Sequence, residues 1–251
     1  MGADSLEGRV VVITGASSGI GAALARGCSQ RGARVALAAR SRDRLSAAAR
    51  LCPGETLVVP CDVTVDDDRR RLVDGVMARW GRIDVFVNNA GIGSYALFDE
   101  VELTDLRAML EVDVVAVFAL TQEALRVMRP VGSGLILQVA STGGLIAHAP
   151  CVSAYLAAKH AVVGMSRGLR RDLEGTGIRV LVVCPHLTDT GFFATGFGAA
   201  AMKETADRLR KHMDTADEVA EGILREMDSA SFVLFPTERA RAGYERFLET
   251  V

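Results

Sequence analysis

The sequence lacks long apolar runs, since no uninterrupted apolar segment of its 251 residues reaches the ~20 residues that a membrane-spanning helix needs. The first fifteen residues, MGADSLEGRVVVITG, carry acidic side chains and one short apolar run that ends in glycine. We therefore expect no membrane span, and neither a secretory signal nor a membrane anchor at this end.

A surplus of positive charge is also missing. The chain has 29 lysines and arginines against 31 acidic residues, a net charge of -2, and its arginines are scattered. Proteins that bind nucleic acid usually concentrate basic residues on one face. The composition therefore argues against a nucleic-acid partner.

Cysteines are few and lack the CxxC spacing of zinc and redox sites. The five are Cys28, Cys52, Cys61, Cys151 and Cys184. An odd number without such spacing indicates small buried thiols in a reducing compartment. We therefore expect a cytoplasmic protein without a metal site.

No low-complexity linker interrupts the chain, and short β-branched runs alternate with segments of helical periodicity. The runs are RVVVIT (9–14), RVALAA (34–39), TLVVP (56–60), IDVFV (83–87), GLILQVA (134–140), IRVLVV (178–183) and SFVLF (231–235). Nearly continuous apolar strands are typical of parallel sheets covered on both faces. The pattern predicts an α/β fold for residues 1–251, one domain with a doubly wound, mostly parallel Rossmann sheet of about seven strands.

One long helix is predicted over residues 104–129, ending before Pro130. Its run VVAVFAL is too apolar for a fully exposed face. We expect part of this helix to pack in the core and part to lie at a subunit interface.

A glycine-rich turn, TGASSGIGAALA, follows the first predicted strand. Its spacing is GxxxGxG, which differs from the general GxGxxG dinucleotide pattern. Glycines at a strand-to-helix turn let the backbone approach a pyrophosphate, and the helix N-terminus directs unpaired N–H groups at it. We expect the cofactor to contact Gly15, Ser17, Ser18, Gly19, Ile20 and Gly21.

The residues directly after the second predicted strand indicate which cofactor binds. NAD-binding proteins usually place an acidic residue there for the ribose hydroxyls, whereas this chain offers Ala39, Arg40 and Ser41. A guanidinium suits a phosphate. We therefore predict that Arg40, helped by Ser41, binds the 2'-phosphate of NADP(H).

Tyr155 and Lys159, in SAYLAAKH, lie four residues apart and share one face of a predicted helix. Such a pair can be an ordinary surface contact. It can also do acid/base chemistry, because a positive charge favours the phenolate. The pair alone does not decide between these two interpretations.

Several motifs together resemble the short-chain dehydrogenase/reductase family, from about residue 9 to residue 193. They are TGASSGIG (14–21), CDVT (61–64), NNAG (88–91), the Ser141 region, YLAAK (155–159) and CPHLTDTGFF (184–193). The resemblance implies an oxidoreductase in which Tyr155 donates a proton while hydride from C4 of the nicotinamide reaches a substrate carbonyl. Lys159 would lower the pKa of Tyr155 and hold the nicotinamide ribose.

The same resemblance implies further cofactor contacts. Asp62 would bond the adenine edge, and Val63 would cover the adenine face. The centre of the sheet and the ribose pocket would be shaped by Asn88, Asn89, Ala90 and Gly91. The nicotinamide carboxamide or the pyrophosphate would be held in the loop that contains Pro185, Thr188 and Thr190.

Two residues are candidates for the hydroxyl that polarises the substrate oxygen. Ser141 lies fourteen residues before Tyr155, whereas the family's usual gap of thirteen would select Thr142. Matching STGG to the family's serine-x-glycine-glycine pattern favours Ser141 and places an extra residue in the following loop. Thr142 could perform similar chemistry.

Two positions depart from the family pattern. Asp113 stands where the family usually carries an asparagine that completes the active site through a water-linked proton path. Near Lys159, an ionised Asp113 would weaken the pull of the lysine on Tyr155, unless the substitution is simply tolerated. His186 stands where the family usually carries a glycine. It is either a residue of the pocket or a loop residue whose hydrogen bond is satisfied.

Residues 191–213 fall where this family places its substrate-covering loop. Its apolar residues Phe192, Phe193, Phe197 and Met202 indicate a lipophilic carbonyl or alcohol, although apolar residues at helical spacing also serve packing. The opposite wall is expected to include Tyr95 and Phe98. His148, in the loop with the extra residue, is a further candidate for substrate contact.

The first hypothesis is therefore an NADP(H)-dependent oxidoreductase that interconverts a ketone or aldehyde and an alcohol, assembled as a homodimer or homotetramer. The competing hypothesis is a non-catalytic NADP(H)-binding sensor or interaction scaffold, motivated by Asp113 and His186. The intact pair of Tyr155 and Lys159 argues against the scaffold, because such a protein does not need them.

Overall fold

The computed structural model describes residues 6–147, 149–194, 196–198, 204 and 207–249. Within these residues the main strands are β1 (Val10–Thr14), β2 (Arg34–Ala39), β3 (Thr56–Pro60), β4 (Val85–Asn88), β5 (Gly134–Val139), β6 (Ile178–Val183) and β7 (Val233–Leu234). They form one sheet in the order β7-β6-β5-β4-β1-β2-β3, and every pair is parallel. The predicted α/β fold is confirmed.

The helices cover both faces of the sheet. They are α1 (Gly19–Gln30), α2 (Arg42–Ala49), α3 (Asp66–Trp80), α4 (Leu103–Leu110), α5 (Ala116–Met128), α6 (Ser153–Asp172), α7 (Ala216–Glu226) and α8 (Glu238–Leu248). Within the described ranges, no helix has the length and apolar character that crossing a bilayer requires.

Strand β1 shows why the strands consist of nearly continuous apolar residues. Val11 and Ile13 pack into the layer that contains α1 and α7, whereas Val10 and Val12 pack into the layer of α3 and α5. Alternate residues of a strand point to opposite faces, so a strand buried on both sides needs apolar residues at every position.

The segment predicted as one helix over residues 104–129 is divided in the structure. Helix α4 ends at Leu110, a π-helical turn spans Glu111–Val115, and α5 continues to Met128. A π turn inserts one extra residue and often marks a functional site. Here Asp113 lies in this turn and is fully buried.

The sheet order reverses between β1 and β4, where successive crossovers leave in opposite directions. In open parallel sheets, such a switch point leaves a crevice at the carboxyl ends of the strands. The residues that follow β1, β2, β4, β5 and β6 therefore meet at one edge.

Candidate active site

A cleft of about 840 Å³ lies at this edge of the sheet. Most of the predicted site residues line it: Gly15, Ser17, Ser18, Gly19, Ile20, Ala39, Arg40, Ser41, Asp62, Val63, Asn89, Ala90, Gly91, Tyr95, Ser141, Thr142, Tyr155, Lys159, Pro185, His186, Thr188, Thr190 and Phe192. Gly21 and Asp113 lie behind its wall, and His148 falls outside the described residues.

The glycine turn leaves no room for side chains. A Cβ on Gly15, whose φ is +66°, would lie 2.8 Å from Asn89 Nδ2, and one on Gly21 would lie 2.5 Å from the carbonyl oxygen of Gly15. Ser18 precedes α1 without capping it through its side chain, so the N–H groups of the first turn stay available. These features fit a bound pyrophosphate.

Thr14 and Asn89 join the two strands at the switch point. The Thr14 hydroxyl accepts hydrogen bonds from the N–H groups of Asn89 and Ala90, at 3.0 and 3.1 Å. In return, Asn89 Nδ2 donates to the Thr14 carbonyl oxygen at 2.9 Å. Sequence reasoning did not identify Thr14, because its role depends on the pairing of β1 with β4.

The opposite end of the cleft carries positive charge. Arg40 is exposed there, and the hydroxyl of Ser41 caps α2 by accepting from the N–H of Arg44 at 3.4 Å. Arg44 also lines the cleft, which the sequence analysis missed although the repeated arginines of RSRDR place it one turn further along.

Asp62 is held in its ionised form at this end. Burial is the largest influence and opposes ionisation, whereas hydrogen bonds from the N–H and hydroxyl of Thr64, at 3.0 and 2.7 Å, favour it. The charge of Arg40 acts in the same direction, and the pKa of Asp62 is lowered. A carboxylate is therefore available here as a hydrogen-bond acceptor.

Helix α6 places Tyr155 in its first turn and Lys159 one turn later, with Lys159 Nζ 5.6 Å from the centre of the Tyr155 ring. Burial is the largest influence on the phenol and raises its pKa. The charge of Lys159 and a hydrogen bond with Ser141 oppose burial, but the pKa of Tyr155 stays above its ordinary value. The phenol is therefore protonated at neutral pH.

Ser141 and Thr142 have different surroundings. Ser141 begins the 3-10 turn Thr142–Gly144, and its hydroxyl accepts from the N–H of Gly143 at 3.0 Å. The side chain of Ser141 also reaches Tyr155. Thr142 is only 1% exposed, and its N–H donates to the Pro185 carbonyl oxygen at 2.9 Å. Of the two hydroxyls, that of Ser141 is therefore the one that lies beside Tyr155.

Asp113 forms a buried ion pair with Lys159. Asp113 Oδ2 lies 2.9 Å from Lys159 Nζ, and the two side chains are 0% and 6% exposed. The other carboxylate oxygen accepts from the N–H of Ile92 at 2.8 Å. Burial is the largest influence and lowers the pKa of Lys159, but the charge of Asp113, its hydrogen bond and the nearby Tyr155 together outweigh burial, so the pKa is raised and the lysine stays protonated.

His186 lies on the loop after β6. Its carbonyl oxygen accepts from the hydroxyl of Thr188 at 2.9 Å, and its ring faces Gly243 of α8, where a Cβ would lie 3.4 Å from the ring. His186 therefore both lines the cleft and packs against the C-terminal helix.

The next turn of this loop approaches the phosphate-binding turn, since a Cβ on Gly19 would lie 3.0 Å from Thr190.

Part of the predicted substrate-covering loop closes one side of the cleft. The Phe192 ring meets the Tyr155 ring edge to face, with centres 5.8 Å apart. The short strand Gly196–Phe197 pairs with Gly93–Ser94, and the N–H of Tyr95 donates to the Phe197 carbonyl oxygen at 3.0 Å. Met202 falls outside the described residues.

The prediction that Phe98 lines the opposite wall is wrong. Phe98 lies in the surface turn Phe98–Glu100 and is 82% exposed, and it does not border the cleft. Within the ranges that the structure describes, no group of three or more histidine, cysteine or acidic side chains could hold a metal ion.

Comparison with known proteins agrees with this geometry. Residues 9–201 match the family model described as short chain dehydrogenase. Momilactone A synthase from Oryza sativa subsp. japonica is 37% identical over 238 residues, which are 93% of this chain and 84% of the relative. Cis-4-hydroxycyclohexanecarboxylate dehydrogenase from Sinomonas cyclohexanicum is 35% identical over 243 residues, 94% of this chain and 96% of the relative.

A solved structure with the same architecture is a short chain dehydrogenase/reductase from Burkholderia phymatum in complex with NAD. It superposes with a TM-score of 0.88 at 25% identity and covers 96% of this chain and 93% of its own. The resemblance deduced from the motifs is confirmed. The chain belongs to the short-chain dehydrogenase/reductase family and is an oxidoreductase of alcohol and ketone substrates that uses a nicotinamide cofactor.

Proposed function

We propose that the protein is an NADP(H)-dependent oxidoreductase that interconverts a ketone or aldehyde and an alcohol, with Tyr155 as the acid and base. The observation that carries this proposal is the meeting of Tyr155, Ser141 and Lys159 at the wall of one cleft. A protein without catalytic activity would not need a buried lysine beside a half-buried tyrosine, because burying a lysine opposes its charged form.

Each side chain has a separate part in the reaction. When bound, the nicotinamide cofactor supplies the hydride for reduction or accepts it in oxidation. In the reductive direction Ser141 donates a hydrogen bond to the carbonyl oxygen, and Tyr155 transfers its proton to that oxygen as negative charge develops. The phenolate that remains is stabilised by the charge of Lys159 until a proton returns.

The preference for NADP(H) rests on the residues after β2. Arg40 is exposed at the rim of the cleft, and Arg44 borders the same end. Two guanidinium groups suit a 2'-phosphate through charge-assisted hydrogen bonds. Ser41 can act as a second donor, since its hydroxyl oxygen accepts the capping hydrogen bond from the N–H of Arg44 and its O–H group can still donate to the phosphate.

The proposal is tested by following the absorbance of NADPH and NADH at equal concentration, with a panel of ketones and aldehydes. The panel includes cyclic ketones, because the Sinomonas relative is named for a ring alcohol and the cleft carries apolar groups such as Phe192 and Phe197. We expect oxidation of NADPH by at least one class of carbonyl. Binding of NADPH without turnover on any compound would favour the scaffold hypothesis.

Arg40→Ala is expected to raise the KM for NADPH by about tenfold to a hundredfold, the value of one charge-assisted hydrogen bond of ~1.5–3 kcal/mol. The KM for NADH should change by less than about twofold, since NADH lacks the phosphate. Arg42→Ala is the matched control, because Arg42 is exposed two residues further along, at the start of α2, and does not border the cleft. Equal effects of Arg40→Ala on both cofactors would contradict the assignment.

We also propose that the protein assembles as a homodimer or homotetramer. Helix α5 and the turn before it expose Phe118 and Val115, and α4 exposes Leu103. Exposed large apolar side chains on consecutive elements of the chain are typical of an interface. Light scattering at micromolar protein should give at least twice the mass of one chain, and Phe118→Glu should lower that mass. A monomer before substitution would contradict this proposal.

A cytoplasmic location is our proposal for the compartment. The five cysteines are all free, and four of them are buried. Unpaired thiols of this kind suit a reducing environment.

A further inference from the structure

We propose that Asp113 is a positioning residue that partly neutralises Lys159 and so keeps Tyr155 in its protonated, proton-donating form up to a higher pH. The catalytic consequence of this inference depends on the proposed function. It concerns a residue at which the chain departs from the asparagine usual in the family.

The first support is the geometry of the pair. A contact of 2.9 Å between two side chains that are almost fully buried makes Asp113 the direct counterion of Lys159. The π turn and the N–H of Ile92 fix the carboxylate in this position. Two opposite charges this close in a buried site attract each other strongly.

The second support is the set of polar and titratable groups that act on Tyr155. Within the described residues these are Lys159 on the same helix, Asp113 on the π turn, Ser141 after β5 and Cys184 after β6. Burial raises the pKa of the Cys184 thiol to about 12, so this cysteine is neutral at working pH. Asp113 is therefore the negative charge that counteracts Lys159 at the phenol.

The direction of the effect follows from electrostatics. Lys159 favours the phenolate and lowers the pKa of Tyr155, whereas Asp113 disfavours the phenolate and raises it. Reduction needs the phenol and oxidation needs the phenolate. With Asp113 present, reduction persists to higher pH and oxidation begins at higher pH.

The test is a spectroscopic titration of Tyr155 in the full-length protein. The near-ultraviolet absorbance of phenolate is recorded against pH for the wild type and for Asp113→Asn, and the same curve of each Tyr155→Phe counterpart is subtracted. The subtraction removes the signals of Tyr95 and Tyr244. We expect the Tyr155 inflection to move to lower pH by about one unit or more in Asp113→Asn.

Asp99→Asn is the matched control, since Asp99 is exposed in a surface turn and the same change of charge there should leave the inflection in place. Circular dichroism confirms that each variant is folded. If Asp113→Asn does not fold, Asp113→Ser removes the same charge with a smaller side chain and is titrated in its place. An unmoved inflection in a folded variant overturns the inference.

Activity provides an independent second measurement. The pH at which carbonyl reduction declines should fall by the same amount in Asp113→Asn, and the onset of alcohol oxidation should fall with it. Absence of turnover in the wild type would contradict the proposed function, while the titration would still decide the role of Asp113. Turnover with an unshifted titration would leave the function standing and remove the inference.

Discussion

Tyr155→Phe is expected to lower kcat for carbonyl reduction by about a thousandfold, the range that a positioned general acid contributes. The substitution removes only the hydroxyl, so the ring can keep its edge-to-face contact with Phe192. The Kd for NADPH should therefore change by less than about threefold. Turnover is measured from the absorbance of NADPH, and cofactor binding from calorimetry on the same samples.

Tyr244→Phe provides the control for this experiment. Tyr244 stacks on Phe235 with ring centres 5.1 Å apart and does not border the cleft. Removing its hydroxyl should leave kcat within about twofold of the wild type. Near-normal turnover in Tyr155→Phe would show that another group supplies the proton and would contradict the proposed mechanism.

Lys159→Met should affect both catalysis and folding. Lys159 Nζ lies 5.6 Å from the centre of the Tyr155 ring. At about this distance and an effective dielectric constant of ~20, one positive charge stabilises the phenolate by about 3 kcal/mol, or ~2 pKa units. The variant also leaves Asp113 buried without its counterion. We expect kcat to fall by about a hundredfold and the free energy of unfolding to fall by about 3–5 kcal/mol.

These two effects can be separated by a second substitution. Adding Asp113→Asn to Lys159→Met removes the uncompensated charge, so most of the lost stability in urea should return while turnover should not. Lys211→Met, at an exposed lysine, is the control and should change the free energy of unfolding by less than about 0.5 kcal/mol. No loss of stability in Lys159→Met would mean that the ion pair does not stabilise the fold.

Local patterns determined much of what could be predicted. Tyr155 and Lys159 share a helix face because helical periodicity brings residues four apart together. The glycines of the first turn are required where they stand, because a side chain at Gly21 would collide with the backbone of the same turn. The strands were recognisable because parallel strands buried on both faces must be apolar throughout.

The partners of these local motifs depend on contacts between distant segments. Asp113 and Lys159 are 46 residues apart, and only the packing of the π turn against α6 makes them an ion pair. In the same way, the pairing of β1 with β4 gives Thr14 its role, and the surface turn after Gly93–Ser94 exposes Phe98. Sequence spacing describes neighbours along one helix or strand, whereas parallel crossovers decide which separate segments meet at the edge of the sheet.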